Sequence, residues 1–275
     1  MDLKTLKDIP AWDWPDGTEK TIHAVLADRG AGESDRLLAA ELAGDYAVIN
    51  DDLADSLLDI VKEDKASDAL RGQAAISLGP VLEEADVEGF DEPEDIPISE
   101  KTFIRIQESL QGLFRKPDVS KNVRRRILEA SVRAPQDWHP DAIRKAYSDS
   151  DPDWRLTAVF CMRYIEGFES QILESLDNPD PDIHYEAICA AGNWEVDAAW
   201  PHISRILASD DADKPLLLAA MDALVTIRPE EAQDVLGAFT GSEDEDIAEA
   251  AYEAISMAEA ILEAEEGEED EEEDD

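Results

Sequence analysis

Apolar residues recur along this chain at helical spacing, in short runs separated by polar turns. Asp151-Pro152-Asp153-Trp154-Arg155 opens one such segment and Asp180-Pro181-Asp182-Ile183-His184 opens the next. Asp211-Ala212-Asp213 and Glu243-Asp244-Glu245-Asp246-Ile247 open two more, so the pattern returns about every thirty residues. Each opening leads into two apolar runs of helical period. Self-similarity at this length predicts an all-α solenoid of stacked antiparallel helix pairs, each pair burying its apolar faces against its neighbours.

Reading outward from the clear copies divides the chain into three parts. Residues 1–33 form a lead-in and a capping helix over about 16–28, with Trp12 and Trp14 expected to cover the apolar edge of the first pair. Residues 34–264 form the repeat array. Its first pair spans 34–63, broken near 44–50, where Asp51 or Asp52 is placed to cap the second helix. The second pair opens at Ser67-Asp68 and resumes at Ser99, a further cap, after an insertion at 83–98 that carries Pro93, Pro97 and many acids. Pairs follow at 118–148, 151–178, 180–209 and 211–240, and a helix over about 245–264 closes the array. Residues 265–275, almost wholly acidic, are expected to be a disordered tail. Gly79 and Gly192 align at the ends of first helices, where a small residue lets neighbouring helices approach closely.

The Asp-Pro-Asp opening, the apolar residue after it, the Ala five residues beyond the second Asp and the Gly closing the first helix resemble HEAT repeats. The short period is most similar to the HEAT-like subclass first known from phycobilisome lyases. The resemblance is clear over 67–79 and 151–262 and weaker over 34–63 and 118–148. The arginine usual near the start of the first helix is matched by Arg71 and Arg155, with His184 in the aligned place of the fifth pair. Membership would imply a right-handed superhelix whose second helices line a concave surface that holds another protein, and it would imply no reaction.

Charge changes this picture most. With 68 acids against 24 bases the chain carries −44, yet 43% of its residues are hydrophobic, so it is an acidic folded protein. Residues 263–275 hold 11 of the acids and no base, so 57 acids still face 24 bases in the body. Such a field repels nucleic acid and anionic membrane and attracts basic partners. It also suits a protein that works at high salt, an explanation that needs no partner. No secretory signal or membrane-length apolar run is present, and Cys161 and Cys189 lack CxxC spacing. The chain is therefore expected in the cytoplasm with free thiols.

Candidate chemistry is sparse. None of His23, His139, His184 and His202 lies in HExxH, and none is followed by Glu as in the metal-binding HEAT-like hydroxylases. No GxSxG, P-loop or dinucleotide fingerprint occurs, so no catalytic residue, metal or cofactor is assigned. One stretch departs from the global charge: Lys101 to Lys145 has 11 bases and five acids. Within it Arg124, Arg125 and Arg126 cannot share one helical face, because successive residues lie about 100° apart. At least one therefore points inward. Together with Trp138, His139 and Tyr147 they form the candidate site for a partner or an anion, guanidinium groups matching carboxylate or phosphate and aromatics supplying anchors. Pairing of these bases with the chain's own acids is the competing explanation.

The leading reading is a non-enzymatic scaffold or adaptor presenting a concave acidic surface to a protein partner, a basic one being favoured. The alternative is an enzyme or enzyme accessory that binds a small anionic ligand near 121–147.

Overall fold

The polar openings act first as helix starts. In the computed structural model, which describes residues 3–90, 96–209 and 211–273 with side chains as far as Ala264, Asp180 accepts hydrogen bonds from the backbone N–H of Asp182 (3.0 Å) and Ile183 (3.4 Å). Asp151 accepts likewise from Asp153 at 3.2 Å. Pro152 and Pro181 occupy the first helical position, where a missing N–H costs nothing and φ is preset. The capping residue is itself held by a side chain two positions earlier: Asp149 accepts from the Asp151 N–H and Asn178 from that of Asp180, both at 3.0 Å. Ser242 repeats this turn at Asp244 ahead of the last helix, whereas Ser209 holds Asp211, two residues before the cap Asp213.

The described residues contain helices and no strand, and they fall into two compact units, Met1–Ala142 and Ile143–Asp275. In the first unit two short 3₁₀ turns (Leu3–Asp8 and Ala11–Asp13) precede α1 (Thr18–Ala27), α2 (Glu33–Ala43), α3 (Asp51–Lys62), α4 (Asp68–Ile76), α5 (Gly79–Glu88), α6 (Glu100–Phe114) and α7 (Lys121–Ser131). Helices α2, α4 and α7 stack as one layer and α1, α3 and α6 as the other. Ile22, Leu57, Leu58, Leu82, Ile106, Leu110 and Ile127 fill the core between the layers. The chain leaves this unit within α8 (His139–Tyr147).

In the second unit α9 (Pro152–Cys161), α11 (Pro181–Asn193), α13 (Lys214–Ile227) and α15 (Glu245–Glu273) form the first-helix layer. The intervening α10 (Glu169–Ser175), α12 (Trp200–Leu207) and α14 (Ala232–Leu236) are short, and each packs on the first helix that follows it. Close approach within the layer depends on small residues. A Cβ at Gly192 would lie 3.0 Å from Ala223 Cα, whereas Gly79, expected at the end of a first helix, is instead the first residue of α5, where a Cβ would lie 2.8 Å from the flexible Arg133 side chain. The turns between paired helices are also laced: Trp194 Nε1 donates to Met162 O at 2.6 Å, and Thr226 Oγ1 to Gly192 O at 2.9 Å.

Several local expectations need revision. Asn50, not Asp51 or Asp52, caps α3, accepting from the Leu53 N–H at 3.0 Å. Asp51 instead accepts the Ser99 N–H at 2.8 Å, which fixes the start of α6. The first part of the expected insertion, 83–88, is helical, because α5 buries Val81, Leu82 and Ala85 on one face; residues 91–95 lie outside the described ones. Trp14 does cover the apolar edge, its indole N–H bonded to Leu6 O at 3.0 Å, but Trp12 is 83% exposed. The segment 265–275 lies beyond the described side chains, so the expected disorder there is not addressed by them.

Candidate functional site

Cap position explains one of the three consecutive arginines. Ser120 caps α7, so Arg124 stands four residues after a cap, as do Arg36, Arg71, Arg155 and His184. A basic side chain at that register reaches back to the last turn of the preceding helix, where carbonyls lack intrahelical partners. Arg71 Nε donates to Val61 O at 2.9 Å, and Arg36 NH2 to Leu26 O at 3.4 Å. Arg155 lies over the Tyr147 ring at 4.8 Å. The repeat arginine thus extends to Arg36 by position and contact and to Arg124 by position, beyond the two positions legible in sequence.

Arg125 and Arg126 are turned toward one carboxylate. Arg126 NH1 donates to Glu129 Oε2 at 2.6 Å, and Arg125 NH2 lies 4.0 Å from Glu129 Oε1. Arg125 and Glu129 are both buried while Arg126 is exposed, so Arg125 is the inward member of the three. Arg133 pairs with Glu83, and Arg105 with Asp55. These bases of the 101–145 stretch engage the chain's own acids.

His139 is fully buried and serves as a brace. Its Nδ1 accepts the Gln136 backbone N–H at 2.9 Å, which leaves the proton on Nε2, 3.0 Å from Ser131 Oγ. Burial holds its pKa down at about 4, so the ring is neutral at physiological pH. Trp138 packs on it with ring centroids 4.0 Å apart, lies 5.0 Å from Phe114, and donates to Gln136 Oε1 at 2.6 Å. In the second unit the hydroxyl of Tyr147 lies 3.4 Å from both Gln171 O and Ser175 Oγ. Arg125, Arg126, Trp138, His139 and Tyr147 are thus engaged in local contacts, with Arg126 exposed and Trp138 half-buried, while the Nε of half-buried Arg124 is buried without a hydrogen-bond partner among the described residues. Among the described residues no group of three His, Cys, Asp or Glu side chains is placed to hold a metal ion.

A different surface went unread in the sequence. Between the 3₁₀ turn Ala11–Asp13, the start of α1 and the loop after α2 lies an open cleft of about 580 Å³. Trp12, Trp14, Pro15, Ala47 and Val48 supply its apolar lining, and Asp16, Glu19 and Lys20 its charges. Trp12 is 83% exposed, and Tyr46, beside the lining residue Ala47, is 54% exposed. The signal was present as a tryptophan on each side of Asp13, but only packing reveals that one ring turns in and the other out.

The sequence matches no family model and no curated protein. Among solved structures the chain is similar to the E. coli protein YibA, at 16% identity over 90% of this chain and 84% of that one, with a TM-score of 0.45. It is also similar to human deoxyhypusine hydroxylase in complex with glycerol, at 17% identity over 94% and 88% with a TM-score of 0.41. An engineered protein aligns at 15% identity over 88% and 97%, with a TM-score of 0.36. Likeness at this level assigns no activity to the chain. No described helix is long and apolar enough to cross a membrane.

Proposed function

We propose that this chain is a non-enzymatic scaffold or adaptor, built from HEAT-like helix pairs, that holds a basic protein partner in the cytoplasm. The observation that carries this reading is where the cations go. More than half of the lysines and arginines lie within ion-pair distance of the chain's own carboxylates, among them Arg36 with Glu63, Arg163 with Glu186 and Lys214 with Asp244. With 68 acids to 24 bases, the greater part of the acidic surface is left without counter-charge. Asp222 illustrates the consequence: burial, and then the neighbouring Glu253, push its carboxyl above the usual range. A lysine or arginine brought by a partner would relieve such repulsion, which favours basic proteins and steers their approach. The inward turn of Arg125 and the burial of His139 also favour a brace over an anion pocket at 121–147.

The test is affinity capture from the source lysate, comparing the full chain, a chain ending at Leu262, and an unrelated folded protein of similar charge, each at low and high salt. The expected result is one or a few basic proteins enriched over the charge-matched control and reduced by salt. Equal recovery with the control would overturn the scaffold reading and leave adaptation to high salt as the meaning of the acidity.

A further inference from the structure

An exposed tryptophan is expensive unless something covers it, and here the surroundings indicate what does. The ring of Trp12 projects from a 3₁₀ turn bounded by Pro10 and the extended Trp14-Pro15 segment. Trp14 anchors that turn through two bonds from its indole N–H, to Leu6 O at 3.0 Å and Ile9 O at 3.2 Å. The projecting ring is thus held on a fixed base. Its apolar neighbours are Pro15, Ala47 and Val48, with exposed Ile9 and Tyr46 nearby.

The charges around it are unbalanced. Asp13 and Asp16 are exposed on either side of Trp14, and Glu19 follows in the first turn of α1. Glu19 is shared with Lys20 at 3.8 Å and with the positive end of the helix. Asp13 lies ahead of that helix and is available to a cation from outside. An indole face beside carboxylates is a receptor for a lysine or arginine side chain, because the ring quadrupole and the carboxylates attract the same head group while the ring packs on its aliphatic stem. A second copy of this chain is a poor occupant, since it would bring the same −44.

We propose that the Trp12 cleft is a docking site for a lysine- or arginine-bearing segment of a protein partner, with Trp12 as the anchor, Asp16 in the lining as the charge partner and exposed Asp13, next to Trp12 in the chain, adding to the local negative field. This rests on the basic-partner reading above and gives it a location. Trp12 is the hot spot, because a tryptophan held on a fixed base and covered by a partner contributes far more than its share of an interface.

The probe is a short fluorescent peptide of alternating lysine and glycine, with a glutamate–glycine peptide as control, titrated by anisotropy against the full chain, W12A, W12F and D13N/D16N. Because Trp12 stands in solvent, W12A should unfold at the same denaturant concentration as the native chain. The expected result is binding of the lysine peptide, weakened about three- to tenfold by W12A. W12F should be intermediate, and D13N/D16N should show a weaker salt dependence. Equal affinity for the native chain and W12A would overturn the cleft while leaving an acidic scaffold that binds elsewhere. A lysine peptide that binds no better than the glutamate one would overturn both.

Discussion

Asp180 shows how the acids of this chain do two jobs. Its carboxylate closes the first turn of α11 through two backbone N–H groups, while Asp182, one turn position on, complements the helix dipole. Asp180→Ala should therefore lower stability by about 1 kcal/mol, and Asp180→Asn by much less, as read from urea unfolding midpoints. His139 makes a prediction about pH. The folded chain keeps it neutral down to about pH 4, whereas an unfolded histidine takes up its proton near 6.5. Acid therefore favours the unfolded chain: the contribution is complete above about 6.5 and is lost as pH falls toward 4, by about 3 kcal/mol at most. His139→Gln removes that component. The difference in unfolding free energy between the native chain and H139Q should narrow across this interval, and a difference independent of pH would contradict the assignment of His139 as a neutral buried brace.

At the scale of the helix, stacking is controlled by what two neighbouring first helices leave room for. Gly192→Ala places a methyl group against the Ala223 backbone and should destabilise by about 1–3 kcal/mol. Gly112→Ala, in α6 with open space around it, should instead stabilise by about 0.5–1 kcal/mol through helix propensity alone. If the two substitutions had the same sign in thermal unfolding, the close approach of α11 and α13 would not be what fixes Gly192. Gly192 was legible in the sequence as the small residue near the end of a first helix, whereas Gly79, aligned with it, begins α5 after α4 has ended at Ile76. The helix starts were legible too, since Asp-Pro-Asp combines a cap, a preset φ and a dipole partner in three residues. The cap at Asn50 was missed because Asp51 and Asp52 are equally good cap residues on composition, and only the backbone decides which one precedes the first turn. Arg124 was read as part of a basic cluster, not as the repeat's own arginine, because its cap is Ser120 and not the aspartate of the clearer copies. The outward turn of Trp12 had no sequence signal that separates it from Trp14.

For the whole molecule, charge is the dominant variable. A chain at −44 repels itself in the folded state, so added salt should raise the unfolding midpoint by screening. A fall with salt would mean that internal pairs such as Arg126 with Glu129 outweigh the repulsion. The same surplus is what a basic partner would neutralise, and the proposed anchor within it is the exposed ring of Trp12. The most direct measurement is hydrogen exchange of the chain, free and in the presence of the lysine–glycine peptide, resolved to short peptides. Slower exchange is expected in the bound state over residues 11–20 and 45–48, with 121–147 unchanged. Protection confined to 121–147, or none anywhere, would contradict docking at Trp12.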